Sequence, residues 1–273
     1  MGRGASKARG GSGGGAQQKP QPQTQQQQDQ TQDNSTQIQP VGDNVPSGAK
    51  AFTDAQAKAL RQQEDAAYNA NTKAAVKMYI SNADFDNQGH SMSQTMNYLL
   101  DNGVDLANAD LNSINRQFGL RLSSGDLASM QFTYSRMNSA FHPIGQSVKL
   151  QRGAHDDVLQ LEFGIKNYAN MSEAQLQKAL VGKTFHNKSP MSTSYNVSKN
   201  PFLGNGPASG GREVVYNITA GAKTPMLFGA QKQSEVVLGY SHWKITGVHY
   251  SGKTSTPRGR GSKPQFEIDL ETL

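Results

Sequence analysis

Residues 231–240 read QKQSEVVLGY. Val236, Val237 and Leu238 form a short apolar run of the kind that enters a core as a strand. Glu235 stands directly before it, and a carboxylate is costly to bury unless something compensates its charge. Gln233 lies two residues earlier, so in an extended chain the two side chains share one face. The spacing sets an amide and a carboxylate side by side at the mouth of a buried strand.

The rest of the chain bounds what that pair can be. Only 34% of the 273 residues are hydrophobic, and the deficit sits at the front. The stretch GRGASKARGGSGGGAQQKPQPQTQQQQDQTQDNSTQIQP has almost no apolar side chains, so it cannot offset the entropy lost on ordering. Residues 1–50 are therefore expected to be a disordered Gly/Gln-rich tail. Residues 51–273 suit one domain, by the guide of roughly 100–200 residues per domain. The chain has no cysteine, which excludes disulfides, a thiol nucleophile and cysteine-ligated zinc. No apolar run approaches the roughly 18 residues of a membrane span, so no membrane partner is expected. The basic N-terminus lacks the apolar segment of a secretory signal. Net charge is +6, concentrated in the tail and in KTSTPRGRGSKP at 253–264. No aromatic residues interleave with these charges as a stacking platform for nucleic acid requires. They read as a solvated tail and loop.

Local signals place the elements. Thr53 and Gln56 form a capping box that opens a helix toward Ile80, interrupted near Tyr68–Thr72. The stretch 91–103 reads as a short helix stopped by Asn102-Gly103, and Asp110 caps another that ends at Gly119. Leu127, Met130, Tyr134, Met137 and Phe141 recur at spacings of three and four, which marks one helical stripe with the methionines as core filling. After Pro143 the pattern changes. SVKLQRG at 147–153 alternates as a strand, and Ser172 with Gln175 caps one more helix. From Thr184 onward the chain reads as strands at 184–187, 191–196, 212–220, 224–229, 234–240, 243–250 and 265–270. A Gly- and Pro-dense loop lies at 199–211. Helices first and strands later is an α+β order.

Neither metal nor phosphate motifs appear. The six histidines show no H-x-x-x-H or H-E-x-x-H spacing, so no metal is expected, and His155-Asp156-Asp157 reads as a turn. No Gly-rich phosphate loop opens a helix. Three polar spots on strands remain, in chain order: Arg152 in KLQRG, Ser192 in MSTSYN, and Gln233-x-Glu235 in QKQSEVVLG.

This ordered set resembles the R-S-E class of mono-ADP-ribosyltransferases, which includes the C3 exoenzymes and the actin-modifying binary toxins. The resemblance covers roughly residues 60–271. It implies an α+β fold, a pair of packed β-sheets flanked by N-terminal helices, with NAD as co-substrate in the cleft and no metal. Arg152 would bind the NAD phosphates and Ser192 would orient Glu235. Glu235 would face the ribose as nicotinamide leaves, and Gln233 would contact the acceptor. In this family the Q-x-E pair goes with amide or hydroxyl acceptors on a protein target. The loop 199–212 matches the phosphate–nicotinamide loop in position, with Phe202 to stack on nicotinamide and Arg212 to reach a phosphate. The chain departs from the family at Ala230, where an aromatic residue often stands. Tyr240, His242 and Trp243 are read as packing.

Two other readings compete. One is a virion or interaction protein that carries a degenerate transferase fold; the RG- and Gln-rich head has the flavour of phage-encoded or mobile-element proteins. The other is NAD glycohydrolysis, with water as acceptor. The transferase reading places the action in the cytoplasm of a host or target cell, with delivery by a virion as one route. If the tail is disordered, removing residues 1–45 leaves the melting temperature and NAD turnover nearly unchanged. A large fall in melting temperature would show that the tail packs on the domain.

Overall fold

A computed structural model describes residues 48–273 except 82, 87, 156–157, 197–199, 201–212, 230–233 and 256–262. The expected disordered tail thus lies outside the described residues as far as residue 47. Lys50 already bridges to Val148.

Five helices come first: α1 (Asp54–Ala67), α2 (Ala70–Tyr79), α3 (Met92–Asp101), α4 (Leu111–Phe118) and α5 (Ser124–Ala140). Their starts follow from local chemistry. Thr53, Ser91 and Ser123 each close a capping box with the residue three positions on. The break between α1 and α2 falls where Asn69 accepts from the Thr72 N–H at 2.9 Å and so starts a new helix. α4 ends on Gly119 in the left-handed region, φ 66°. In α5 the buried stripe is Leu127, Met130, Thr133, Met137 and Ala140. The methionines are core, as their spacing predicts. Tyr134 and Phe141 are only half-buried against the same cluster, and Thr133 takes the central place. Two further helices, α6 (Val158–Leu161) and α7 (Glu173–Leu180), follow the first long strand.

Among the described residues nine strands follow the early helices: β1 (His142–Pro143), β2 (Val148–His155), β3 (Thr184–His186), β4 (Met191–Ser194), β5 (Glu213–Ala220), β6 (Pro225–Phe228), β7 (Glu235–Leu238), β8 (His242–Ser255) and β9 (Lys263–Thr272). They hydrogen-bond in the order β1-β6-β7-β4-β2-β5-β9-β8-β3. β2 and β4 meet through a single residue pair, Gln151 with Ser194. That seam divides the ladder into a four-strand half and a five-strand half. Their inner faces merge: Met226, Phe228, Val236 and Leu238 from one half join Leu150, Ile218, Trp243 and Ile268 from the other in one cluster. The outer face of the smaller half, through Leu227 and Val237, packs under α2, α3 and α5 with Tyr79, Met96, Leu99 and Met130. The result is an α+β pair of packed sheets flanked by helices.

One carboxyl group is buried inside this packing. α1 turns Ala57, Leu60 and Glu64 inward. The Glu64 carboxylate accepts the Phe228 N–H with both oxygens, at 3.0 and 3.1 Å. His142 Nε2 lies 3.6 Å from it. Burial pushes Glu64 up from 4.5 to about 8 and pulls the His142 imidazole down, so both are held neutral at pH 7. Between pH 4.5 and about 8 the unfolded chain has released a proton that the native state keeps, so stability falls as pH rises through that window. The slope is at most about 1.4 kcal/mol per pH unit from this group. Glu64→Gln keeps an oxygen for Phe228 and removes the proton, so its melting temperature should decline less between pH 5 and 8. An equal decline in both proteins would assign the slope to another group.

Candidate active site

Glu235 is the first residue of β7 and is 4% exposed. The register sets Ser194 directly across from it and Ser192 across from Val237. Ser192 is therefore the diagonal neighbour of Glu235 on one sheet face. The Ser194 hydroxyl is taken up locally: it accepts the Asn196 N–H at 3.1 Å and donates to Asn196 O at 3.3 Å as the chain leaves β4. Thr193, on the other face, donates to Val236 O at 2.7 Å and ties β4 to β7.

The carboxylate of Glu235 lies over Gly229, whose N–H donates to Glu235 O at 3.1 Å. A Cβ at Gly229 would come within 2.6 Å of the carboxylate carbon. Glycine is what gives the side chain its space. Directly before the carboxylate, Ser234 has φ 51°, the one positive φ outside glycine among the described residues. A left-handed serine costs roughly 1–2 kcal/mol, and strain of this kind gathers at functional sites.

Arg152 stands in β2 beside Gln151, half-buried. Among the described residues no carboxylate pairs with it. Its field nevertheless reaches Tyr79 and Asp101, and that of Glu235 also reaches Tyr79. The Tyr79 ring from α2 thus stands within electrostatic reach of both. Burial, above all, drives its phenol far above the ordinary tyrosine range, with Arg152 opposing and Glu235 adding. The phenol bonds to Asn97 Oδ1 at 3.1 Å and to Pro190 O at 3.3 Å, two residues before Ser192. Asp101, at the end of α3, is likewise raised by burial, against a bond from Ser189 and the nearby Arg152 and Lys188.

Solved structures share this fold. A C3-type ADP-ribosyltransferase from Clostridium botulinum aligns with a TM-score of 0.53 at 16% identity over 82% of this chain and 98% of its own. A C3-type protein from S. aureus, solved with NAD, aligns at 0.52 with 17% identity over 83% and 99%. The enzymatic component of the C. botulinum C2 toxin aligns at 0.52 with 16% identity, over 83% of this chain and 50% of its own. The fold is that of the ADP-ribosyltransferase toxins. No protein-family model matches the sequence, and no curated protein matches it.

Within this ADP-ribosyltransferase fold the structure brings Arg152, Ser192 and Glu235 around the β2–β4 seam. Gln233, Phe202, Arg212 and Ala230 lie outside the described residues. So do Asp156 and Asp157 of the expected turn. Among the described residues no group of three His, Asp or Glu side chains is placed to hold a metal. Three features were not legible beforehand. Tyr79 was one, because a tyrosine on an apolar helix face reads as core. Ser194, read only as part of a strand, was the second. The third is a register row of polar residues and glycine that crosses both halves: Gly229, Glu235, Ser194, Gln151, Asn217, Asp269, Gly247. Gln151 Nε2 donates to Asn217 Oδ1 at 3.0 Å, and Asn217 Nδ2 donates to Asp269 Oδ1 at 3.2 Å and to Glu267 Oε2 at 2.8 Å. Asn200 Nδ2 donates to Gln151 O at 3.2 Å and anchors the far side of the seam.

Gly229→Ala tests the cradle. The new methyl displaces the Glu235 carboxylate, at an overpacking cost of about 1–3 kcal/mol. The melting temperature should fall by several degrees, and Gly229→Ser should fall at least as far. An unchanged melt for both would mean that the carboxylate does not occupy that space.

Proposed function

We propose that residues 51–273 form an NAD-dependent mono-ADP-ribosyltransferase that modifies a protein side chain and releases nicotinamide. One observation carries this reading. A buried carboxylate, Glu235, and an arginine with no carboxylate partner among the described residues, Arg152, stand on β7 and β2, the two strands that flank β4, in an ADP-ribosyltransferase fold.

The residues suit the substrate. NAD supplies a C–N bond from ribose to nicotinamide, and positive charge grows on the ribose as that bond breaks. Glu235 is held where a fixed negative charge stabilises that growth without reorganising. The Arg152 guanidinium forks two phosphate oxygens, a geometry that a point charge does not match. Ser192, diagonal to Glu235, orients the carboxylate. Phe202 stacks on nicotinamide and Arg212 contacts a phosphate from the 199–212 segment. Gln233 orients the acceptor, an amide or hydroxyl side chain of the target. Water in place of that side chain gives the glycohydrolase reaction, which the same assay reads.

Labelled NAD with a cell lysate tests the whole reading: a labelled protein and free nicotinamide are expected, and neither product would overturn it. Variants then assign the roles. Arg152→Ala should weaken NAD binding by roughly 10- to 100-fold, the worth of charge-assisted hydrogen bonds. Glu235→Gln should leave binding nearly intact and lower kcat by about 10²-fold or more. Gln233→Ala should cut label transfer roughly 10²-fold while nicotinamide release persists. Equal NAD affinity in wild type and Arg152→Ala, or equal loss of both activities in Gln233→Ala, would remove those assignments.

A further inference from the structure

α1 carries a second charged residue on its inner face. Arg61 lies three positions before Glu64, one turn away along the same stripe. It is half-buried, and its partners are backbone oxygens at both ends of one connection. Nε donates to Gly229 O and Nη2 to Glu235 O, each at 3.4 Å. The guanidinium carbon lies 5.4 Å from the Phe228 ring centre and 5.8 Å from that of Tyr195. Nη1 is buried with no partner among the described residues, so two carbonyls and two rings define the group's position. Glu64 meanwhile holds the Phe228 N–H. One helix face therefore grips three backbone groups, Phe228 N, Gly229 O and Glu235 O, that flank residues 230–234.

From this geometry we infer that Arg61 is a positioning residue: it ties the ends of the 229–235 segment together and thereby aims the Glu235 carboxylate. The inference rests on the reading of Glu235 as the group that acts on NAD. The physical reason is specific to a planar fork. Gly229 and Glu235 are ladder neighbours, and two separate N–H groups on one rigid plane reach both oxygens at once. A lysine ammonium is a single point charge on a flexible stem and reaches one or the other. The pull acts on the peptide units that follow Gly229, whose missing side chain gives the carboxylate room, and Glu235, which itself follows the strained backbone of Ser234. An acid misplaced by about 1 Å loses up to 10²-fold in rate, so a small release at the backbone has a large readout at the carboxylate.

The experiment compares full-length wild type, Arg61→Lys and Arg61→Met. Methionine keeps the apolar packing against Phe228 and Tyr195 without the fork. Two readouts are taken: amide hydrogen exchange in the peptide 226–238, and kcat and KM for NAD in nicotinamide release. Exchange should quicken at Gly229 and Glu235 in both variants, and kcat should fall about tenfold with KM unchanged. The melting temperature should move by no more than a few degrees. Exchange equal to wild type in both variants would overturn the clamp. Faster exchange with an unchanged kcat would overturn its role in aiming Glu235, and so would a rise in KM alone. If Arg61→Met does not fold, Arg61→Lys decides by the same criteria. A wild type that releases no nicotinamide would sink the function proposed above, and the exchange result would still decide the clamp.

Discussion

Two half-sheets share a single residue pair, Gln151 with Ser194, and the arrangement of the domain follows from that narrow seam. On either side the pairing is extensive: β2 runs eight residues against β5, and β4 runs four against β7. Among the described residues no other pair joins β2 to β4. The apolar faces of the two halves fold together instead into a common core. The polar groups that a seam exposes must then find other partners. Asn200 donates to Gln151 O at the seam and Gln151 in turn bonds Asn217 on β5, while Arg152, Ser192 and Glu235 lie on the strands around it. A place where the sheet cannot pair with itself is a place where it can hold something else.

The second organising tension lies in α1. A helix that packed only by hydrophobic burial would show Ala57 and Leu60 and little more. This one sinks Glu64 and half-sinks Arg61 on the same stripe, and both bond to backbone groups of the sheet. Such groups are expensive to desolvate, and Glu64 keeps its proton to about pH 8 as a result. What the helix gains is directional hold on main-chain atoms that no side-chain packing can grip. The hold falls on the end of β6 and the start of β7, where Glu235 stands.

Much of the helical layer was legible in the sequence because its signals are local. Thr53 with Gln56, Asn102-Gly103 and Ser172 with Gln175 act within a few residues, and the structure starts and stops helices there. The strands were legible as segments but not as partners. Nothing local states that β5 runs parallel to β9 or that Ser194, rather than Ser192, faces Glu235. β8 extends to Ser255, past the expected strand end at Tyr250, because Lys263 and Pro264 supply a cross-strand partner and an irregular register absorbs the mismatch. Thr133 takes the centre of the α5 stripe and Tyr134 its margin, which the apolar spacing alone does not show. Of the proposed site, Arg152, Ser192 and Glu235 can be singled out from order and residue type, and they fall on the neighbouring strands β2, β4 and β7. Tyr79, Arg61 and Gly229 cannot, because a buried tyrosine, a charged helical residue and a strand-end glycine each have a commoner structural use.

The placement of β9 bears on how the domain comes into being. Residues 263–272 form an interior strand, parallel to β5 on one side and antiparallel to β8 on the other. Chain order and spatial order are therefore at odds. While these residues are still emerging from a ribosome, β5 and β8 stand with open edges and a strand-wide gap between them. The larger half-sheet can close only from its middle outward, and only once this segment arrives. Closing the larger half-sheet then means closing the long stretch of chain between β5 and β9. A nascent chain held short of residue 272 would carry every residue of the site and have no half-sheet to hold it against.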